Sequence, residues 1–398
     1  MIRRPRPPTT QASRTVNCMA WPDVPEDLLA GPRGRRLCFE IVRPHGIDGL
    51  SESCPALQAV MCEGAATDPE QLATELASLV SQADLEAIAE LSGQASLLEA
   101  LSDSVGWAMY WQPPDEIDQA LAHSEVAEEL AAVARAVTAA PANRWWSSLL
   151  ARDHQHFVRL LIGETDHGLT GEPPDLAGAD ANLAGWLAHT IEEERSAASR
   201  PTDPAAPHSG HWWSAPALSR LVWSTRSLRD FGPVGLVLVE DAPGHSEAIA
   251  WPLAVAPEVR VFEVRAPRDW IELAARYPLE VTKSHRHDWW RVTGWDGTWV
   301  VPNFAAVAAD FDAVHVTVGG YLTTAGRALS VGPGIGAPGG SSGGGVARTE
   351  EAKTMLAGWP PDETYWLADV LQTTGRPVRW ANPAPTDDLL AWMPLPGS

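Results

Sequence analysis

His285 and His287 stand two residues apart in SHRHDWWRVTG, with Asp288 directly after them. Imidazole and carboxylate are ordinary zinc ligands, and residues two apart on a β-strand point to one face. On that reading His285 and His287 would share an ion, with His315 of VHVTV or Asp288 as third ligand. The competing reading is a polar lip on a structural strand. Glu363 lies between aromatic residues in WPPDETYW, where burial would raise its pKa and make it a usable acid or base. Glu240 and Asp241 close an apolar run as adjacent carboxylates, suited to acid–base work or to a turn in solvent. The stretch GPGIGAPGGSSGGG has no lysine followed by serine or threonine, so it reads as a flexible linker and not as a phosphate loop.

Tryptophan dominates the aromatic residues, 19 against six Phe and four Tyr. Three doublets occur: Trp145-Trp146, Trp212-Trp213 and Trp289-Trp290. In a strand a doublet sends one ring to each face, so one fills core while the other can line a cleft and stack on a flat ligand.

These residues need elements to hold them. Thr67-Asp68-Pro69-Glu70 predicts a capped helix start, followed by Leu72, Leu76 and Leu79 at helical spacing. Ile117, Leu121, Val126, Leu130, Val133 and Val137 continue the helical pattern up to Pro141. A helix from Ser147 or Ser148 through Leu161, and another around Leu183–Ile191, complete the first half. RPTDPAAPHSG marks a linker. Beyond it the pattern becomes β-rich: Val234–Val239, Glu258–Val264 and Val314–Val318 read as strands. WRVTGWDGTWVV reads as a hairpin turning at Asp296-Gly297. The predicted organisation is a flexible basic tail (1–20), a mainly helical domain (21–200), a linker (201–210) and an α+β domain (211–398) with a disordered Gly-rich loop at 332–346. The fold class is α+β: a helical first half, then a mixed, mainly antiparallel β-rich domain with short helices.

The charge balance of the 398 residues is 29 − 51 = −22. So acidic a chain repels phosphate backbones and argues against duplex nucleic acid as a partner. No apolar run reaches the roughly 20 residues of a membrane span, and no apolar signal core follows the basic start. Cys18, Cys38, Cys54 and Cys62 lack zinc-like spacing and read as free thiols, consistent with a cytoplasmic protein.

The segments YWQPPDEID, RWWSSLLARD, GHWWSAPA, LVLVEDAPG, FEVRAPRDWIELAARYP, FDAVHVTVGGYLTTAGRAL and LAGWPPDETYWLADV resemble an uncharacterised family of actinobacterial cytosolic proteins over about residues 100–370. That likeness carries no activity with it. The order His211, Ser224-Thr225, Glu363 is also similar to the ADP-ribosyltransferase fold, although Arg226 interrupts the Ser-Thr-Ser triplet and no Glu-x-Glu occurs. That second resemblance implies a nucleotide-using transferase with NAD as cofactor. His211 would bind the ribose and Trp212 or Trp213 would stack on the ligand. Ser224 and Thr225 would hold the cleft strand, and Glu363 would face the developing oxocarbenium charge. A second assignment in the same style uses His315, Tyr321 and Glu363. The alternatives are a non-catalytic regulatory or protein-interaction protein, and a metal-dependent hydrolase using His285, His287 and His315. The substrate, small molecule or protein, is left open.

Overall fold

The computed structural model describes residues 25–43, 54–63, 67–161, 173–216, 221–242, 244–333, 351–385 and 388–396. The predicted basic tail, and the Gly-rich loop from residue 334 onward, lie outside them.

The first half folds as helices where the apolar periodicity places them, at Pro69–Ser81, Leu85–Ala89, Glu116–Ala120 and Ser124–Ala139, and adds Gln94–Gly106, which the sequence reading did not include. The stripe Ile117, Leu121, Val126, Leu130, Val133 and Val137 is buried throughout. Asp68, not Thr67, caps its helix by accepting the Glu70 N–H at 3.1 Å. Ahead of these runs Pro32–Val42, whose arginines recur below.

The strands are β1 (Gln155–Leu161), β2 (Trp223–Leu228), β3 (Gly232–Pro233), β4 (Glu247–Val255), β5 (Val261–Val264), β6 (Pro278–Glu280), β7 (Thr298–Pro302), β8 (Ala313–Val316), β9 (Leu329–Pro333), β10 (Glu351–Thr354), β11 (Thr364–Trp366), β12 (Leu371–Thr373), β13 (Val378–Ala381) and β14 (Met393–Pro394). The large sheet runs β14-β13-β4-β1-β2-β11-β8-β5, with β12 on β4 and β3 on β2; the small one runs β6-β7-β10-β9. Only β5 with β8 and β7 with β10 pair in parallel among the described strands, so the α+β class with mainly antiparallel sheets holds. One hydrophobic core runs from Leu28 to Trp392, and a smaller cluster including Leu150, Val222, Leu253 and Trp366 covers the other face of the large sheet. No helix among the described residues is long and apolar enough to cross a membrane.

Three segments depart from the sequence reading. Residues 155–161, read as helix, are the strand β1, pinned between β4 and β2. Val234–Val239, read as a strand, begins as a 3-10 turn at Val234–Leu236, where the Gly235 N–H donates to Thr225 Oγ1 at 3.0 Å. SHRHDWWRVTG is not a hairpin arm: Thr282–Thr293 is a helix, ended by Gly294 in the left-handed region at φ 69°. Its first backbone N–H groups, from Lys283 and Ser284, donate to the Glu194 carboxylate at 2.9–3.0 Å, which satisfies donors that no helix can satisfy internally.

Candidate functional site

The register of β2, β11 and β8 sorts the candidate residues onto two faces. Thr364 of β11 stands opposite Ser224 on one side and His315 on the other, so these three side chains share a face. Glu363 and Tyr365 flank Thr364 and point the opposite way.

The Thr364 face holds a chain of buried ions. Asp362 sits at φ 64°, a left-handed backbone that costs a non-glycine residue roughly 1–2 kcal/mol. It accepts the Arg226 backbone N–H at 2.9 Å and Arg226 Nε at 2.5 Å. His315 Nε2 reaches Asp362 Oδ1 at 3.4 Å, and its Nδ1 reaches Glu263 Oε2 at 2.5 Å. Arg226 also donates to the Ser148 and Leu149 carbonyls, both at 3.1 Å, and Glu263 accepts the Leu150 N–H at 3.1 Å. Burial disfavours charge on His315, but the Glu263 and Asp362 carboxylates outweigh it and hold its pKa up to about 9. Burial likewise pushes Asp362 up; the hydrogen bond from His315 and the charge of Arg226 overcome that and keep it below the ordinary carboxylate value. Every ionic group of this chain has a partner, as a structural clamp on residues 148–150 requires.

The other face is built differently. Burial, and then the charge of Glu240, raise Glu363 to about 8. Burial raises Glu240 to about 7, partly offset by the Tyr321 hydroxyl, the Gly358 N–H and Arg33. Tyr365 faces Glu363, and Tyr321 faces both Glu240 and Tyr110. Three of the four tyrosines thus meet here. The oxygens of Glu240, Tyr110 and Tyr321 are buried without a hydrogen bond of ordinary geometry, although each lies close enough to the next to shift its pKa. Buried polar atoms are rarely left so.

Tyr110 also lines a cavity of about 540 Å³, together with Arg33, Arg35, Trp107, Asp115, Asp118 and Arg327 among others. That volume suits a drug-sized ligand. Arg33 is spoken for by Asp118 and by the Ser104 carbonyl at 2.6 Å, yet its Nε has no partner. Arg35 and Arg327 donate to the Leu29 and Thr323 carbonyls at 2.8 and 2.6 Å, and neither has a carboxylate within ion-pair distance among the described residues. Burial lowers the pKa of both. The exposed Trp107 ring borders the same space, with the Arg36 guanidinium 5.1 Å from its centroid.

The residues singled out from sequence are distributed over three places. Ser224 donates to Gln155 Oε1 at 2.6 Å and accepts Trp366 Nε1 at 2.8 Å; Thr225 holds Gly235. His315 belongs to the ion chain, so the sheet separates it from Glu363. Tyr321 and Glu363 lie on one face with Glu240 between them. His211 lies elsewhere, packed on Trp213 at 5.0 Å and His285 at 6.2 Å, with Glu193 3.8 Å away. Trp212 gives its carbonyl to Trp289 Nε1 at 2.7 Å and packs on Trp213. The helix turns His285 and His287 about 200° apart. His285 rests on Trp289 and His287 on His208. The proposed third ligand, His315, is held by the ion chain, and among the described residues no three His, Cys, Asp or Glu side chains are placed to hold a metal ion.

Sequence reading missed Arg33, Arg35, Tyr110 and Arg327. The available signal was PRGRR beginning at Pro32, three arginines within the first turns of a helix, where cations oppose the helix dipole and ask for a compensating anion. Cys38 and Cys54 are buried and unpaired, in line with the thiol reading. No family model matches this chain, no curated protein is similar to it, and no solved structure matches its fold.

Proposed function

We propose that this protein binds a small anionic molecule, of nucleotide size, in the cavity between Arg35, Arg327, Trp107 and Tyr110. The observation that carries the reading is the charge state of that wall. Two partly buried guanidinium groups stand there with no carboxylate within ion-pair distance among the described residues, beside a third whose Nε is unsatisfied. A phosphate or carboxylate entering the cavity would replace the solvation that burial takes from the charged Arg35 and Arg327. Trp107 offers a ring for a flat portion of the same ligand. The ligand class agrees with the nucleotide expected from the ADP-ribosyltransferase resemblance; the residues assigned to bind it do not, because the cavity is walled by others. Calorimetric titration with inorganic phosphate, ADP and NAD tests the reading. Binding of at least one is expected, and Arg35→Gln or Arg327→Gln should each weaken it about tenfold, a charge-assisted hydrogen bond being worth about 1.5–3 kcal/mol. Absence of heat with all three, together with an unchanged melting temperature, would overturn it.

A further inference from the structure

The arginines of the cavity are not equivalent, and the difference narrows the anion they suit. Arg33 pairs with Asp118, while Arg36 pairs with Glu40 at 2.5 Å and with Asp115 at 2.9 Å. Arg35 leaves the same helix in another direction, and its Nη1 donates to the Leu29 carbonyl at 2.8 Å. Arg327 follows the helix Val318–Thr324, and its Nη1 donates to the Thr323 carbonyl at 2.6 Å. The backbone brings these last two together. A Cβ at Gly31, the residue before the arginine-bearing helix, would stand 3.3 Å from Arg327 Cδ and 3.1 Å from the Leu322 carbonyl oxygen. The Gly31 carbonyl accepts the Arg35 N–H at 3.3 Å. The Arg327 stem thus crosses the start of the helix that carries Arg35, and both guanidinium groups line one cavity. Each is tethered through one nitrogen to a neutral carbonyl, which leaves most of its five N–H donors unused. Asp118 acts on Arg35, and Asp27 on Arg327, only from beyond ion-pair distance. Asp118 is moreover already shared by Arg33 and Arg36. Two like charges held side by side without a contacting carboxylate oppose each other.

We infer that Arg35 and Arg327 together take a terminal phosphomonoester, so that the ligand enters by a free phosphate end and not by a carboxylate or an esterified phosphate. The inference rests on the binding reading above and narrows its ligand class. A guanidinium presents a planar fork that suits two oxygens at once. A phosphomonoester offers three anionic oxygens and, above its second pKa of about 6, close to two charges. Two forks can therefore close on it, sharing the third oxygen. A carboxylate or a phosphodiester has two such oxygens and one charge. It satisfies one fork and leaves the second guanidinium without an anion. Trp107 completes the class. One side of its exposed ring meets the Arg36 guanidinium, 5.1 Å from the centroid, and the other is open to a flat ring on the same ligand. A nucleoside monophosphate or diphosphate has both parts. NAD has the ring but not the phosphate end, being ADP with its terminal phosphate closed into an ester.

Calorimetric titration of the full chain with ADP, and with ADP methylated on its terminal phosphate, separates the two classes. Base, ribose and first phosphate are the same in both, and only the end group differs. At about pH 7.5 ADP should bind at least about tenfold tighter than the ester, since the ester gives up a charge-assisted hydrogen bond. NAD should behave as the ester does. The ratio of the two affinities should shrink to about twofold by about pH 5, because ADP takes up its second terminal proton near pH 6 and the ester has no such site. Titration of the protein itself acts on both ligands and cancels in that ratio. Arg35→Gln and Arg327→Gln each leave a single fork, and should each bring the ratio at about pH 7.5 below about threefold. If a variant does not fold, the wild-type titrations decide alone. An ester that binds within about threefold of ADP, or a ratio that does not change with pH, would overturn the phosphomonoester and leave the binding reading standing. NAD or inorganic phosphate binding where ADP does not would do the same. Silence from all four, in heat and in melting temperature, would overturn both readings.

Discussion

Asp362 and Glu363 are consecutive in the chain and both buried, yet the chain sends them to opposite faces of the sheet and to opposite chemistry. Asp362 meets Arg226 and His315 and keeps its charge. Glu363 meets a second carboxylate and a tyrosine and gives its charge up. Burial acts on both to the same end, so the difference lies in the partners. A fully paired ionic chain is fixed in one state and holds structure. A row of under-partnered acids and hydroxyls can change state, and change of state is what proton chemistry needs.

The comparison can be broken most forcefully at Asp362. Replacing it by Asn leaves the buried Arg226 guanidinium without a carboxylate and His315 with Glu263 alone, and should cost about 3–5 kcal/mol in urea unfolding. A loss below about 1 kcal/mol would mean that the ion chain does not hold the fold. The second effect is in pH. Glu240 and Glu363 are raised from 4.5 to about 7 and about 8 when folded. Their contribution is fully present below pH 4.5 and is lost as pH rises through those values. The slope is at most about 1.4 kcal/mol per pH unit for each group. His315, raised from 6.5 to about 9, adds to the same alkaline loss over its own window. His285 works in the other direction: burial depresses it to about 3, so stability falls as pH drops below 6.5. The unfolding midpoint of the wild type should therefore decline between pH 6.5 and 9, and Glu363→Gln should flatten the part below pH 8. A wild-type profile level across that range would remove the distinction between the two faces. The smallest effect is expected at Thr364, on the ionic face, whose Oγ1 is buried without a partner. Thr364→Val keeps the shape and removes the orphan, so it should change stability by less than about 1 kcal/mol in scanning calorimetry, in the stabilising direction.

What the sequence made legible follows from where physical signals are local. The stripe from Ile117 to Val137 is one-sided, so its period of 3.6 survives in the residue order. β1 misleads for a physical reason: both of its faces are covered, and its most buried residues, Gln155, Val158 and Leu161, fall three apart as on a helix. Thr282–Thr293 misleads through its aromatic residues and the Asp-Gly that follows, whereas the deciding signal was Gly294 as a helix terminator. Glu363 was readable because its aromatic neighbours are adjacent in the chain. Its partner in titration, Glu240, was noticed only as one of a pair with Asp241; Asp241 instead takes a left-handed backbone and accepts Trp111 Nε1 at 3.0 Å. Tyr110 and Arg33 reach the site from the other end of the chain, and nothing in local spacing records that meeting.

The place of β11 in the large sheet bears on how the chain is made. A ribosome delivers β2 and β8 well before residues 364–366, and β11 must slot between them. Until then both strands present an open edge, the kind that pairs with the wrong neighbour. The contact that secures the insertion, Arg226 to Asp362, spans 136 residues, which places the sheet's closure late and slow. A chain halted short of Asp362 would therefore carry its central sheet in two unjoined pieces, and would be the form most exposed to aggregation and to the cell's proteases.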